Sequence, residues 1–499
     1  MNAALTVYPK KPLCVRSLML YGHFIEHFHR QIYGGIYDPA SPFADADGFR
    51  EDVLAALKKL CVPVLRWPGG CFVSAYHWKK AVGPVRTPSY DKAWRVEDPN
   101  TFGTDEYIAL CRKLGCEPYI CTNAGTGSAE EMSDWLEYCN QTLGEYARLR
   151  AANGHPAPYG VKYWSIGNEN YGSWEIGAKE ADEWSRLVRE AAKMMKRVDP
   201  AVELSAAAIP DADWNLRLLE RCAPWLDWIS IHKYWDMTTE EDDPANYEQV
   251  MAYTNDLDAD LRRVRGLLMA LGLEQKIKIA CDEWNLRSWH HPNIMGAYQG
   301  RTEAEYLAPR DRNDRNETYT MADAVFTACF LNTLNRNADL VGMANFSPIV
   351  NTRGCIFTHP GGIVLRSTYH VFDLYVNYLG ETVLDSTQSV SEFDVTGKTG
   401  RVETVTALDL LPTLRSDGAY CVAAVNKHPS EEASLRIDLG MGPGECRIVT
   451  VAGERDAYND VDRTGVRLTE GPWQPFDPGT PLRLAPHSVN VVQIKFGES

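Results

Sequence analysis

The sequence predicts an α/β chain: a (β/α)8 TIM barrel carrying a C-terminal antiparallel β-sandwich domain. Three observations lead there. From residue 17 to about 380, short apolar runs of strand length alternate with longer segments of helical spacing. The strand-like runs number eight, and eight strand–helix repeats close a parallel sheet into a barrel. Beyond residue 380 the helical spacing stops, and short strands separated by turn residues take over.

The first fifteen residues precede the barrel and are read as an added strand of the sandwich. The barrel strands follow as Leu18–Glu26, Val62–Gly69, Glu117–Asn123, Lys162–Asn168, Val202–Ile209, Trp228–Tyr234, Lys276–Glu283 and Leu340–Ser347. Between them, Phe49–Leu60, Thr104–Leu114, Glu130–Ala147, Lys179–Val198, Tyr247–Leu271 and Thr320–Asn335 space their apolar residues as helices do. An open doubly wound sheet is the competing architecture. It would carry a glycine-rich phosphate turn after its first strand, and Tyr21-Gly22-His23-Phe24 is not one. The sandwich strands are Val402–Leu411, Tyr420–Asn426, Ala433–Leu439, Cys446–Val451 and Ser488–Ile494, punctuated by Ser416-Asp417-Gly418 and Gly442-Pro443-Gly444. The expected boundaries are 16–380 for the barrel and 381–499, joined by 1–15, for the sandwich.

Composition narrows the function. The 499 residues carry 51 Lys+Arg against 67 Asp+Glu, a net charge of −16, and no basic stripe interrupts the acidic balance. Nucleic acid is therefore excluded as a partner. No run of about 18 uncharged apolar residues is present, so no membrane span is expected. Lys10, Lys11 and Arg16 break the apolar stretches of the N-terminus, which does not read as a signal peptide. The 13 cysteines are odd in number and scattered, the pattern of reduced thiols in a cytoplasmic protein.

Barrel enzymes react at the C-terminal ends of their strands. Those ends carry Glu26 with His27 and His29, Arg66, Asn123, Asn168-Glu169, His232 with Tyr234, Asp282-Glu283-Trp284-Asn285, Asn345 and Asn351. Carboxylates and amides hydrogen-bond hydroxyl groups and aromatic rings cover sugar C–H faces, so the set suits an uncharged polyhydroxylated substrate. Glu169 and Glu283 end the fourth and seventh strands, across the mouth from each other. Two facing carboxyls, one protonated and one ionised, are what glycoside cleavage requires.

Arg66-Trp67-Pro68-Gly69-Gly70, Trp78 through Gly83-Pro84, Trp164 through Asn170, Ile229 through Tyr234 and Asp282 through Asn285 resemble glycoside hydrolase family 51. Phe24-Ile25-Glu26-His27, Tyr33 through Tyr37 and Tyr369-His370-Val371-Phe372 add to the resemblance, which runs in order along the barrel into the C-terminal domain. It implies a retaining, exo-acting α-L-arabinofuranosidase that removes terminal residues from arabinofuranosyl-containing oligosaccharides, without metal or cofactor, as a homo-oligomer (trimer or hexamer). Carried over, it makes Glu169 the general acid/base and Glu283 the nucleophile, with Arg66 and Tyr234 stabilising its charge. Asn168 then meets the sugar 2-hydroxyl and Glu26 accepts from other hydroxyls. Trp94 and Trp174 shape the mouth, and His232 and Cys71 complete the substrate-binding set. Two positions depart from the family: Cys71 where Asn is common, and Phe346-Ser347-Pro348 where many members carry a sugar-binding Gln. They leave a furanosidase of broadened, galactofuranoside-accepting specificity as one alternative; an endo-β-glucanase or xylanase of the same barrel class is another, since the sequence alone does not distinguish a pocket from a groove. His27-Phe28-His29 imitates the metal pair of amidohydrolases, but Ser205–Ala208 and Asn345–Ser347 stand where that chemistry needs His and Asp. Both histidines are read as structural groups or as supports for residues of the site.

Overall fold

The computed structural model describes residues 1–235, 245–287, 314–397 and 400–497. Eight strands form a closed parallel barrel in sequence order. They are Gly22–Phe24, Val64–Trp67, Glu117–Thr122, Tyr163–Ile166, Glu203–Ala208, Trp228–Lys233, Lys278–Trp284 and Val341–Phe346. The eighth closes on the first through Asn345 opposite Gly22 and Phe346 opposite His23. Successive side chains alternate faces, as strand geometry requires. Val64, Tyr119, Tyr163, Ala280 and Met343 pack inside the barrel, while Leu65, Ile120, Trp164 and Ile279 pack outward on the helices.

Helix Ala181–Val198 illustrates the outer layer. Glu183 returns its side chain to the backbone N–H of Glu180, and Trp184, Val188, Ala191, Ala192 and Met195 bury one face. Two segments predicted as single helices are broken. Glu130–Ala147 becomes Ala129–Asn140 and Glu145–Ala152, parted at Gly144, whose φ of 108° no helix admits. Tyr247–Leu271 becomes Tyr247–Ala252 and Asp256–Ala270 joined by a 3-10 turn. Among the described residues, helices Ala212–Cys222 and Ser367–Tyr378 were not delimited from the sequence, although a last barrel helix was expected near Tyr369–Phe372. The second is rich in aromatic and β-branched residues, a composition that favours strands until packing decides otherwise.

The C-terminal strands and the N-terminal strand Asn2–Val15 make one ten-stranded sheet. Asn2–Val15 runs antiparallel to Thr382–Ser389 on one side and parallel to Ala433–Asp438 on the other. The sheet curls until its ends meet: Cys446 and Phe476 near one end share an apolar cluster with Leu435, Leu482 and Leu484 near the other. The layers of the predicted sandwich are thus joined in one hydrogen-bonded sheet. Val402–Leu411 divides, Val402–Thr406 pairing with Glu392–Thr396 in a separate hairpin. The outer face of the sheet packs on helices Met321–Arg336 and Ser367–Tyr378, where Arg336 and Asn332 both bond Asp409.

Candidate active site

The second, fourth, sixth and seventh strands deliver Arg66, Asn168-Glu169, His232 with Tyr234, and Asp282-Glu283 to one end of the barrel. Neighbours along a strand normally face opposite sides. Asp282 and Glu283 escape this because the pairing register slips on both flanks of their strand, between Ala280 and Glu283 toward the sixth and between Cys281 and Trp284 toward the eighth. Such a bulge re-aims side chains. Asp282 turns inward to accept from Ser230 Oγ and Tyr119 OH, each at 2.6 Å, and Glu283 reaches the mouth.

Glu283 is held from two sides. Arg66 Nη1 donates to Oε2 at 2.7 Å and Tyr234 OH to Oε1 at 2.8 Å. Arg66 Nη2 donates to Asn168 Oδ1 at 2.9 Å, so the guanidinium also fixes the amide beside Glu169. Glu169 receives Trp174 Nε1 at 2.8 Å on one oxygen and lies 2.9 Å from His232 Nδ1 on the other. Oxygens of Glu169 and Glu283 and a nitrogen of His232 all lie within 4.8 Å of one another.

Local backbone makes this close approach possible. A β-carbon on Gly70 would stand 3.2 Å from Glu283 Oε2 and 3.6 Å from Glu26 Oε1. Gly167 has φ 70°, and a β-carbon there would lie 2.2 Å from Asn170 Oδ1. Glu169 itself has φ 46°, a left-handed conformation costing a non-glycine residue about 1–3 kcal/mol.

Charge organises the centre. Burial alone would push His232 down, but Glu283, Asp282 and Glu169 outweigh it and raise the imidazole to about 10. Burial opposes ionisation of Asp282, yet Arg66 and then His232 lower it to about 2. Burial raises Glu169, but the His232 hydrogen bond and charge bring it below the usual range. Glu283 is raised by burial and by facing Glu169, the rise limited by His232, Arg66 and Tyr234.

Comparison with known proteins agrees with this geometry. The alpha-L-arabinofuranosidase 1 domain matches residues 56–252, and the alpha-L-arabinofuranosidase C-terminal domain matches 282–488. Alpha-L-arabinofuranosidase C of Emericella nidulans is 33% identical over 517 residues, covering 98% of this chain and 97% of its own. The chain belongs to the α-L-arabinofuranosidases of glycoside hydrolase family 51. The crystal structure of alpha-L-arabinofuranosidase from Thermotoga maritima in its arabinose complex superposes on this family 51 chain with TM-score 0.87 at 35% identity, covering 98% of this chain and 99% of that one. A Halalkalibacterium halodurans relative, named an intracellular exo-alpha-(1->5)-L-arabinofuranosidase, is 34% identical over 84% of each chain.

The remaining predicted residues of this family 51 site divide. Glu26 accepts Phe72 N–H at 3.1 Å and Trp94 Nε1 at 2.9 Å on Oε1, leaving Oε2 without a partner. Burial, then the charge of Glu283, hold its carboxyl well above the usual range, so the free oxygen meets a hydroxyl as donor as well as acceptor. Trp94 is 2% exposed and backs Glu26, so it lies behind the mouth; Trp174, 43% exposed, lies at its edge. Cys71 is a neutral thiol, raised first by burial and then by Glu175, Glu169 and Glu26. Glu175 is absent from the predicted set. It receives Asn168 Nδ2 at 3.3 Å, and burial followed by the charge of Glu169 pushes it up to about 7. The only sequence signal for it is a second acidic residue in the loop after the fourth strand.

Other strand-end residues serve the scaffold. His27 bonds Asp98 through Nδ1 at 2.8 Å and Trp67 through Nε2 at 3.0 Å, which occupies both ring nitrogens. His29 Nε2 bonds Asp314 at 2.9 Å. Asn123, Asn285, Asn345 and Asn351 bond backbone groups of the loops. Among the described residues no helix is long and apolar enough to cross a membrane.

Proposed function

We propose that the chain is a retaining, exo-acting α-L-arabinofuranosidase releasing terminal non-reducing α-L-arabinofuranosyl residues from oligosaccharides by double displacement. The observation that carries this reading is the approach of Glu169 and Glu283 oxygens to within 4.8 Å. Retaining enzymes hold their carboxyls about 5–5.5 Å apart, and inverting enzymes leave about 6.5–9.5 Å for a water.

Glu283, ionised between Arg66 and Tyr234, attacks the anomeric carbon. The leaving oxygen takes the proton of the His232–Glu169 hydrogen bond. In the free protein that proton rests on Nδ1, and a bound sugar that excludes water from Glu169 moves it onto the carboxyl. Once the glycosyl ester forms, the charge of Glu283 is gone, and Glu169 draws a proton from water for the second displacement. Asn168, oriented by Arg66 and Glu175, meets the 2-hydroxyl, where contacts tighten in the oxocarbenium-like transition state. A reducing, intracellular location belongs to the same reading, supported by thirteen free thiols. So does the homo-oligomer implied by the family resemblance, which light scattering on the purified chain measures.

A panel of nitrophenyl furanosides and pyranosides, with NMR of the first-formed sugar, tests the proposal. The expected result is hydrolysis of the α-L-arabinofuranoside with arabinose released first as the α anomer. First release of the opposite anomer would mean single displacement, and release of oligosaccharides in place of pentose would favour the endo-acting alternative.

Cys71 supports a second reading, broadened furanoside specificity. Its thiol sits among Glu26, Glu169 and Glu175 and is a poor hydrogen-bonder. Cys71→Asn is expected to raise kcat/KM on arabinofuranosides relative to galactofuranosides by one hydrogen bond, about 0.5–1.5 kcal/mol. An unchanged ratio would show that Cys71 does not set selectivity.

A further inference from the structure

We propose that Cys71, Glu175 and Glu169 form a binding site for a thiophilic divalent cation such as Zn2+, which on binding withdraws Glu169 from His232. The Cys71 Sγ and one oxygen from each carboxylate lie within 4.8 Å of one another. Tetrahedral zinc, with bonds of about 2.0–2.3 Å, draws its ligand atoms to roughly 3.5 Å apart, so small side-chain rotations close the set.

A second observation points to a ligand. Glu175 is 5% exposed, and neither its Oε1 nor the buried Ser74 hydroxyl completes a hydrogen bond, although that hydroxyl lies near enough to favour the ionised carboxyl. Buried polar atoms are costly to leave unpaired, and a cation supplies the missing partner. Five carboxyl groups, those of Glu26, Glu169, Glu175, Asp282 and Glu283, are buried or nearly so around the pocket. Among the described residues, the cations facing them, Arg66 and His232, are engaged by Asp282, Glu283 and Glu169.

The donor set fixes the class of ion. One sulfur and two carboxylates suit zinc, cadmium or cobalt, whereas magnesium and calcium prefer oxygen alone. On binding, the Cys71 S–H bond is replaced by an S–Zn bond and its proton passes to solvent, as does any proton on Glu175. The ion then bridges the Glu169 loop to the Cys71 turn and obstructs the pocket. The proposal stands apart from the hydrolytic reading, because binding rather than turnover is measured.

The test is calorimetric titration of the untagged, chelator-treated full chain with Zn2+ and with Mg2+, together with its absorption spectrum in Co2+. One Zn2+ per chain is expected, no comparable Mg2+ binding, and a thiolate-to-cobalt charge-transfer band. Cys71→Ser is expected to remove the band. Cys71→Ser and Glu175→Gln should each weaken Zn2+ by at least the roughly 10–100-fold that loss of an outer-shell partner costs. Cys61→Ser, at an exposed thiol, should change neither. Absence of stoichiometric Zn2+ binding, or binding that survives both Cys71→Ser and Glu175→Gln, overturns the proposal.

Discussion

Glu283→Ala is expected to abolish turnover, even on aryl arabinofuranosides whose leaving groups need no protonation. The loss should be on the order of 10^6 in kcat, the size that follows removal of a covalent nucleophile. Among the described residues no neighbouring carboxylate can substitute. Asp282 is fully buried and held by Ser230 and Tyr119. Burial and the charge of Glu283 hold the proton on Glu26, and in the proposed mechanism Glu169 serves the leaving group. Arg66 retains Asp282 as a counter-charge at 3.5 Å, so the variant should fold, which circular dichroism and a melting curve check. Added azide is expected to restore slow release of a glycosyl azide of inverted configuration. Wild-type turnover by a pure, folded Glu283→Ala protein would place the nucleophile elsewhere.

Glu169→Ala should divide substrates by leaving group. On arabino-oligosaccharides kcat/KM is expected to fall by about 10^2–10^4, the usual contribution of general acid–base catalysis. On aryl glycosides the first displacement should persist and the second should slow, so that product appears in a burst followed by a slow phase. Azide needs no general base and should speed that phase, giving a glycosyl azide of retained configuration. The pH profile supplies an independent check. The first step needs the proton of the His232–Glu169 pair, so wild-type kcat/KM declines as pH rises through its titration. That alkaline decline should vanish from the variant on aryl glycosides. No burst and no response to azide would remove Glu169 from the acid/base role.

Both carboxylates were legible because each directly ends an apolar strand run, and a TIM barrel puts such residues at its reactive end. All eight strands were legible for the same reason, as short apolar runs with sharp polar flanks. The first, read as Leu18–Glu26, is however a strand only over Gly22–Phe24, because Ser17 caps Leu18–Tyr21 into a 3-10 turn. What escaped depends on contacts that no linear pattern records. The register slip beside Ala280 and Cys281 arises from pairing with two neighbours at once. Glu175 looks like an ordinary loop acid until burial raises its proton affinity. Trp94 reads as a mouth aromatic, yet its place is fixed by the contact with Glu26, a residue distant in sequence. Ser367–Tyr378 resembles a strand by composition and becomes a helix because the barrel and the curled sheet cover both its sides.

The N-terminal strand has a consequence for how the polypeptide is made. Ala4 finds its partners only at Ser389 and Arg436. During synthesis Asn2–Val15 must therefore wait while every barrel strand is translated. Loop-closure entropy over such a separation is met only after the intervening segment has condensed. The completed barrel is what brings the two ends within reach. Asn2–Val15 then enters the curled sheet between Thr382–Ser389 and Ala433–Asp438, so assembly finishes with a segment made before any barrel strand.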